Sequence, residues 1–125
     1  MDIKREGIHF LKAPCHFYYP EFDNEDDFCD FLINELEEKI IEIGPENIMA
    51  FIAEPILASG GVIVPPKNYN YRCWEVVKRY NIIYIADEVV TAFGRLGYWF
   101  ASEHVFGIIP DIIIFAKGIT SGYIP

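Results

Sequence analysis

Basic residues are scarce in this 125-residue chain: ten Lys and Arg stand against nineteen Asp and Glu, for a net charge of −9. Nucleic acid and anionic membranes are therefore poor partners, since both are held by clustered cations. Cysteine is scarce as well. Cys15, Cys29 and Cys73 are odd in number, scattered and without a C-x-x-C pair, which argues against a disulfide framework or thiolate metal site and suits reduced thiols in a cytosol-like compartment. His9, His16 and His104 lack metal-ligand spacing, so no metal is expected. No apolar run approaches the ~20 residues of a membrane span, and the opening MDIKREGIHF lacks the apolar stretch of a secretory leader. The expectation is a soluble protein of the cytoplasm, or of the mitochondrion if a eukaryotic targeting segment is missing from this sequence. Also lacking is the G-x-x-x-x-G-K-[ST] loop that cradles nucleotide phosphates.

What is present is a foldable chain. Hydrophobic residues make up 52% and aromatic residues 16%, enough for one modest core. Residues 1–24, with Pro14, Pro20 and no clear period, read as an irregular arm. From Glu25 to Ile43, Phe28, Phe31, Leu32, Leu36, Ile40 and Ile43 recur at helical spacing, with Asp23 or Asn24 to cap the start and Gly44-Pro45 to stop it. IMAFIA (48–53) is too short for a helix and runs into the Gly- and Pro-rich ILASGGVIVPP, so it predicts a strand. Asn68–Tyr80 predicts an amphipathic helix with Tyr69, Cys73, Val76, Val77 and Tyr80 inward. Ile82–Ala86 and Asp111–Ala116 predict two more strands, separated by a short helix at Ala101–Phe106. Apolar strands alternating with helices imply an α/β fold, a mostly parallel sheet covered by helices.

In such sheets ligands bind beyond the carboxyl ends of the strands. The three apolar runs end in Glu54, in Asp87-Glu88 and in Lys117, which would share that edge. Two chemistries place an acid there. A nucleotide hydrolase uses the acid to hold magnesium, but the missing phosphate loop makes this reading remote. Pyridoxal-phosphate chemistry uses a lysine that forms a Schiff base with the cofactor aldehyde, and an acid that pairs with the protonated pyridine nitrogen. Asp87 and Lys117 suit those two tasks.

The ordered run FIAEPILASGGVIVPP, IADEVVTAFGRLG and PDIIIFAKGITSGYIP resembles the class III pyridoxal-phosphate aminotransferases of fold type I, most closely those moving an amino group from omega-amino acids or amines to pyruvate. The resemblance implies that Lys117 is the Schiff-base lysine and that Asp87 contacts the pyridine nitrogen of pyridoxal 5'-phosphate. It implies that Val89 packs on the ring and that Glu54 lies on the substrate side, where a structural salt bridge is an equal alternative. Val90 stands where some relatives carry glutamine, and Thr91-Ala92 replaces a pair that usually ends in glycine. Glu88 is expected to make a structural hydrogen bond, and Arg95 to anchor a loop.

Family members are much longer. The upstream phosphate-gripping turn, the ring-stacking aromatic, the neighbouring subunit's threonine and the C-terminal small domain have no counterpart in residues 1–125. The chain is therefore expected to be the central part of the cofactor-binding large domain (arm 1–24, covering helix 25–43, βαβ-type core 48–125). It would be a fragment of a homodimeric enzyme, or a remnant that keeps the motifs without activity. Its small-molecule partners would be an amino donor and a keto acid.

Overall fold

The computed structural model describes residues 6–124; the first five residues of the predicted arm lie outside them. Helix α1 spans Glu25–Ile43. Its start is set by Asn24, whose side-chain oxygen accepts from the Asp27 N–H at 2.8 Å. Glu25, Asp26 and Asp27 fill the first turn, where the helix dipole favours negative charge. Gly44, at φ 87°, ends the helix and donates its N–H to the Ile40 carbonyl. Helix α2 is Tyr69–Arg79, one residue shorter at each end than the periodicity predicts. Asn68 sits in the left-handed region at φ 64° and cannot join the helix.

Strands β1 (Ala50–Ala53), β2 (Ile83–Asp87) and β3 (Ile112–Ile114) form one parallel sheet in the order β1-β2-β3. Ala53 pairs with Ala86, and Asp87 with Ile114. The first and third apolar runs shrink, and the second shifts by one residue. Ile48 closes a 3-10 turn at Pro45–Asn47. Asp111 donates its backbone N–H to the Tyr84 carbonyl at 2.9 Å while its carboxylate takes the Tyr84 N–H at 2.7 Å, and β3 begins one residue later. Asp87, expected just past its strand, is the last residue of β2.

One face of the sheet is covered. Phe28, Leu32, Leu36 and Ile40 from α1 and Cys73, Val76 and Val77 from α2 form a continuous cluster with Ile82, Tyr84 and Ala86 of the β2 segment. The arm lies against this cluster: the His16, Tyr19 and Phe22 rings sit 5.0–5.6 Å from that of Phe28. The strands are apolar on both sides, as their sequence predicts, but the opposite face is bare. Ile52, Ile83, Ile112 and Ile114 there are 37–56% exposed. Period-two alternation places Asp87 on this bare side, in line with Ile83 and Ile85. Among the described residues no helix is long and apolar enough to cross a membrane.

Candidate active site

Because the strands are parallel, the residues that end them share one edge. Asp87 leaves β2 half-exposed, with Oδ1 accepting from the Val89 N–H at 3.1 Å. That bond bends the chain away from the strand and leaves Oδ2 without a partner among the described residues. Val89 is half-buried next to it. Lys117 lies three residues beyond β3, at the start of a 3-10 turn, Lys117–Thr120, with φ 49°. Its side chain is exposed, and its amine has no hydrogen-bond or ion-pair partner among the described residues. Asp87 and Lys117 thus come to one edge without neutralising each other. Glu54, after β1, accepts the Ala58 N–H at 3.1 Å, which closes the loop whose Leu57 and Ile63 pair antiparallel. Among the described residues Glu54 has no cationic partner, so the salt bridge weighed for it is not formed here.

Glu88 differs from its neighbour in every respect. It is fully buried, yet its carboxylate meets four donors: the Ala101 N–H at 2.6 Å, the Ser102 N–H at 2.9 Å, the Thr91 hydroxyl at 3.2 Å and the Ser102 hydroxyl. Ala101 and Ser102 open helix α3 (Ala101–Phe106), whose own N-cap residue, Phe100, supplies no side-chain acceptor. Glu88 therefore satisfies two amide donors that the helix start would otherwise leave unpaired. Its backbone N–H also reaches the Ile114 carbonyl at 2.8 Å. The hydrogen bond expected of Glu88 proves to be a network joining β2, β3 and α3. Thr91, a departure from the usual small pair, has its hydroxyl in that network.

Between β2 and α3 the chain makes a hairpin, with Phe93 N–H to Trp99 O at 2.7 Å and Gly94 N–H to Tyr98 O at 2.9 Å. Gly94 and Gly97, at φ 85° and 91°, shape its tip. Arg95 occupies that tip, exposed and without a partner among the described residues, so it does not anchor the loop as expected. A cleft of about 410 Å³ lies beside the hairpin, lined by Phe93, Tyr98, Trp99, Phe100, Glu103 and His104. A second, of about 640 Å³, lies on the α2 surface. Neither takes in Asp87 or Lys117, so the charged pair lies on an open edge.

Sequence reasoning missed the roles of four residues. Ser102 and Thr91 complete the Glu88 network; small polar residues flanking a buried acid are the signal that could have found them. Asp111 links three elements: both carboxylate oxygens lie 2.5 Å from the Lys78 amine, and one accepts the Tyr84 N–H. The Lys78 bond, then the Tyr84 N–H, hold its carboxyl below the usual carboxylate range. Gly118 touches Phe93: a Cβ on Gly118 would stand 2.9 Å from the Phe93 Cβ.

The profile of the family described as Aminotransferase class-III matches residues 2–125. The chain is 52% identical over 126 residues to a putrescine–pyruvate aminotransferase of Pseudomonas aeruginosa, covering 99% of this chain and 27% of that protein. It superposes with TM-score 0.91 and 44% identity on the crystal structure of an (S)-enantioselective omega-transaminase from Thermomicrobium roseum, over 99% of this chain and 28% of the other. The omega-transaminase of Pseudomonas jessenii in complex with PMP gives TM-score 0.90 and 42% identity, over 97% and 27%. The chain thus spans little more than a quarter of the length of these relatives.

Proposed function

The chain belongs to the class III aminotransferases, and from that premise we propose that it carries the lysine and the acid of a pyridoxal-phosphate transaminase site, at Lys117 and Asp87. The observation that carries this reading is the edge itself. Parallel pairing brings a cation and an anion together at the carboxyl ends of β2 and β3, each with unused bonding capacity and not paired with each other. A ligand with an electrophilic carbon at one end and a protonated ring nitrogen at the other matches that arrangement. When bound, pyridoxal 5'-phosphate supplies an electron sink that stabilises negative charge at the substrate carbon.

This chain's residues do the rest. The Lys117 amine, unpaired among the described residues, would hold the cofactor covalently through its aldehyde carbon. Once freed by the amino donor, the same amine would serve as the general base that moves the proton of the donor carbon. The open Oδ2 of Asp87 would accept from the ring N–H, its negative charge holding that proton. Val89 would offer an apolar side chain to the ring, and Glu54 would stand on the substrate side. The amino donor is an omega-amino acid or amine and the acceptor a keto acid such as pyruvate, in keeping with the putrescine–pyruvate aminotransferase and omega-transaminases that the chain resembles. The whole enzyme acts as a homodimer in a cytosol-like compartment.

The test is to mix the purified protein with pyridoxal phosphate, reduce with borohydride and map the modified peptide. A pyridoxyl group on Lys117 that is lost in Lys117→Ala is the expected result; a parent protein that carries none there refutes the reading. Alanine formation from pyruvate and a diamine then reports turnover.

A further inference from the structure

The exposed Lys117 side chain has no partner among the described residues, yet the backbone on either side of it is gripped by one residue of another loop. Phe93 belongs to the hairpin that follows Asp87. Its ring lies edge-on to that of Phe115, with centroids 5.7 Å apart and planes at 76°, two residues before Lys117. On the other side of the lysine, Gly118 approaches so closely that a Cβ there would stand 2.9 Å from the Phe93 Cβ and 3.2 Å from its Cδ2. The Phe93 Cβ is fixed to the backbone, so it cannot swing aside as the end of a flexible side chain could. Phe93 is itself held, by its N–H bond to Trp99 O at 2.7 Å and by ring contacts with Trp99 and Phe100. Both Phe93 (φ 55°) and Lys117 (φ 49°) occupy the left-handed region, a conformation that costs a non-glycine residue free energy and persists only where surrounding contacts impose it.

We propose that Phe93 is a positioning residue: by straddling Phe115 and Gly118 it fixes where the Lys117 backbone sits relative to the β2 edge that carries Asp87. The inference rests on the cofactor reading above and extends it to a residue outside the set named there. Phe93 connects the two loops directly, so the lysine and the acid are placed by one contact rather than by two independent loops. Gly118 is required because any side chain would push the lysine turn away from the hairpin. Its φ lies outside the left-handed region, so Ala is excluded there by Phe93 and not by backbone strain.

That difference gives the test. Gly118→Ala, Phe93→Gly and the double variant are compared with the parent for the rate at which borohydride traps a pyridoxyl group on Lys117. The rate is counted per folded molecule, with thermal midpoints recorded alongside. Gly118→Ala should slow trapping about tenfold or more, because small misplacements of a reacting group are that costly. Phe93→Gly alone, which frees the lysine turn without displacing it, should slow trapping less. In the double variant the clashing Cβ is gone, and trapping should return to the level of Phe93→Gly but stay below the parent, because ring packing with Trp99, Phe100 and Phe115 is also gone; parental trapping in Phe93→Gly overturns the proposal. Parental trapping per folded molecule in Gly118→Ala overturns the proposal, as does a double variant no faster than Gly118→Ala. A parent protein with no group on Lys117 refutes the cofactor reading, and this inference falls with it; trapping that is normal in the parent and indifferent to Gly118 refutes the inference alone.

Discussion

Replacing Glu88 should cost more stability than replacing any other charged residue of the edge, and the order of its substitutions can be worked out. The carboxylate is fully buried and faces four donors, of which the Ala101 and Ser102 N–H groups are fixed by helix α3, one on each oxygen. Glu88→Gln preserves the shape, but whichever way the amide turns, its NH2 meets one of those amide donors. One buried N–H then loses its acceptor and faces another donor, for about 1–3 kcal/mol. Glu88→Ala removes all four bonds, leaves two buried N–H groups without an acceptor and opens a cavity among Ala101, Ser102 and Thr91, for about 2–5 kcal/mol. Against the 5–15 kcal/mol that stabilises a typical domain, the second loss is large. Urea unfolding of parent, Gln and Ala proteins, followed by far-ultraviolet circular dichroism and compared at equal slope, measures both. Glu88→Gln within about 0.5 kcal/mol of the parent, the range of an ordinary surface substitution, would refute the network as described.

Asp111→Asn should be less stable than the parent at neutral pH. The native carboxyl is held below its ordinary value, mainly by Lys78, so its contribution is present above the unfolded value near 3.9 and fades as pH falls through the native one. The parent–variant difference in unfolding free energy should therefore shrink below about pH 4, and a gap independent of pH would contradict the assignment. Asn70→Ala should cost about 1–2 kcal/mol in the same urea experiment, because the buried Asn70 amide donates to Pro55 O at 3.0 Å and leaves that carbonyl unpaired when removed; an unchanged midpoint refutes it. Thiol titration of the native protein should label Cys15 first. Burial pushes Cys73 up to about 12 and also raises Cys29, leaving little thiolate on either at pH 8. Rapid labelling of all three thiols would contradict the burial.

Much of the fold was legible because its signals are local. Helix α1 is bounded by a side-chain cap and a glycine, and the sequence places both ends to the residue. All three strands were found, but the first and third were overextended, because apolarity continues past the point where pairing stops: Phe115 and Ala116 are as apolar as β3, and nothing in their composition reveals that the chain there has turned toward Phe93. Asp87 and Lys117 were legible as an ordered pair of charged strand ends. Phe93 and Gly118 were not, since a contact between residues 25 apart in the chain leaves no periodic trace. Arg95 misled for the opposite reason. An arginine flanked by glycines looks held, and the structure leaves it at the tip of a hairpin.

The adjacent acids of the β2 end show how bonding capacity separates structure from chemistry. Both are carboxylates at the end of an apolar strand, and composition cannot tell them apart. Alternation of the strand sends them to opposite sides, and their surroundings then diverge. Glu88, turned inward, meets two amides and two hydroxyls, so each of its oxygens already serves two donors and has little left for a ligand. Asp87, turned outward, spends one oxygen on the Val89 N–H and keeps the other open. Lys117 completes the contrast, with a charged amine unpaired among the described residues and a backbone pinned between Phe115 and Gly118. A reacting group must be immobile in position yet uncommitted in bonding. Of the charged strand ends, Glu88 is immobile but committed, and Glu54 is half committed, to the Ala58 N–H. Asp87 and Lys117 come nearest to meeting both conditions, which is why the proposed chemistry is placed on them.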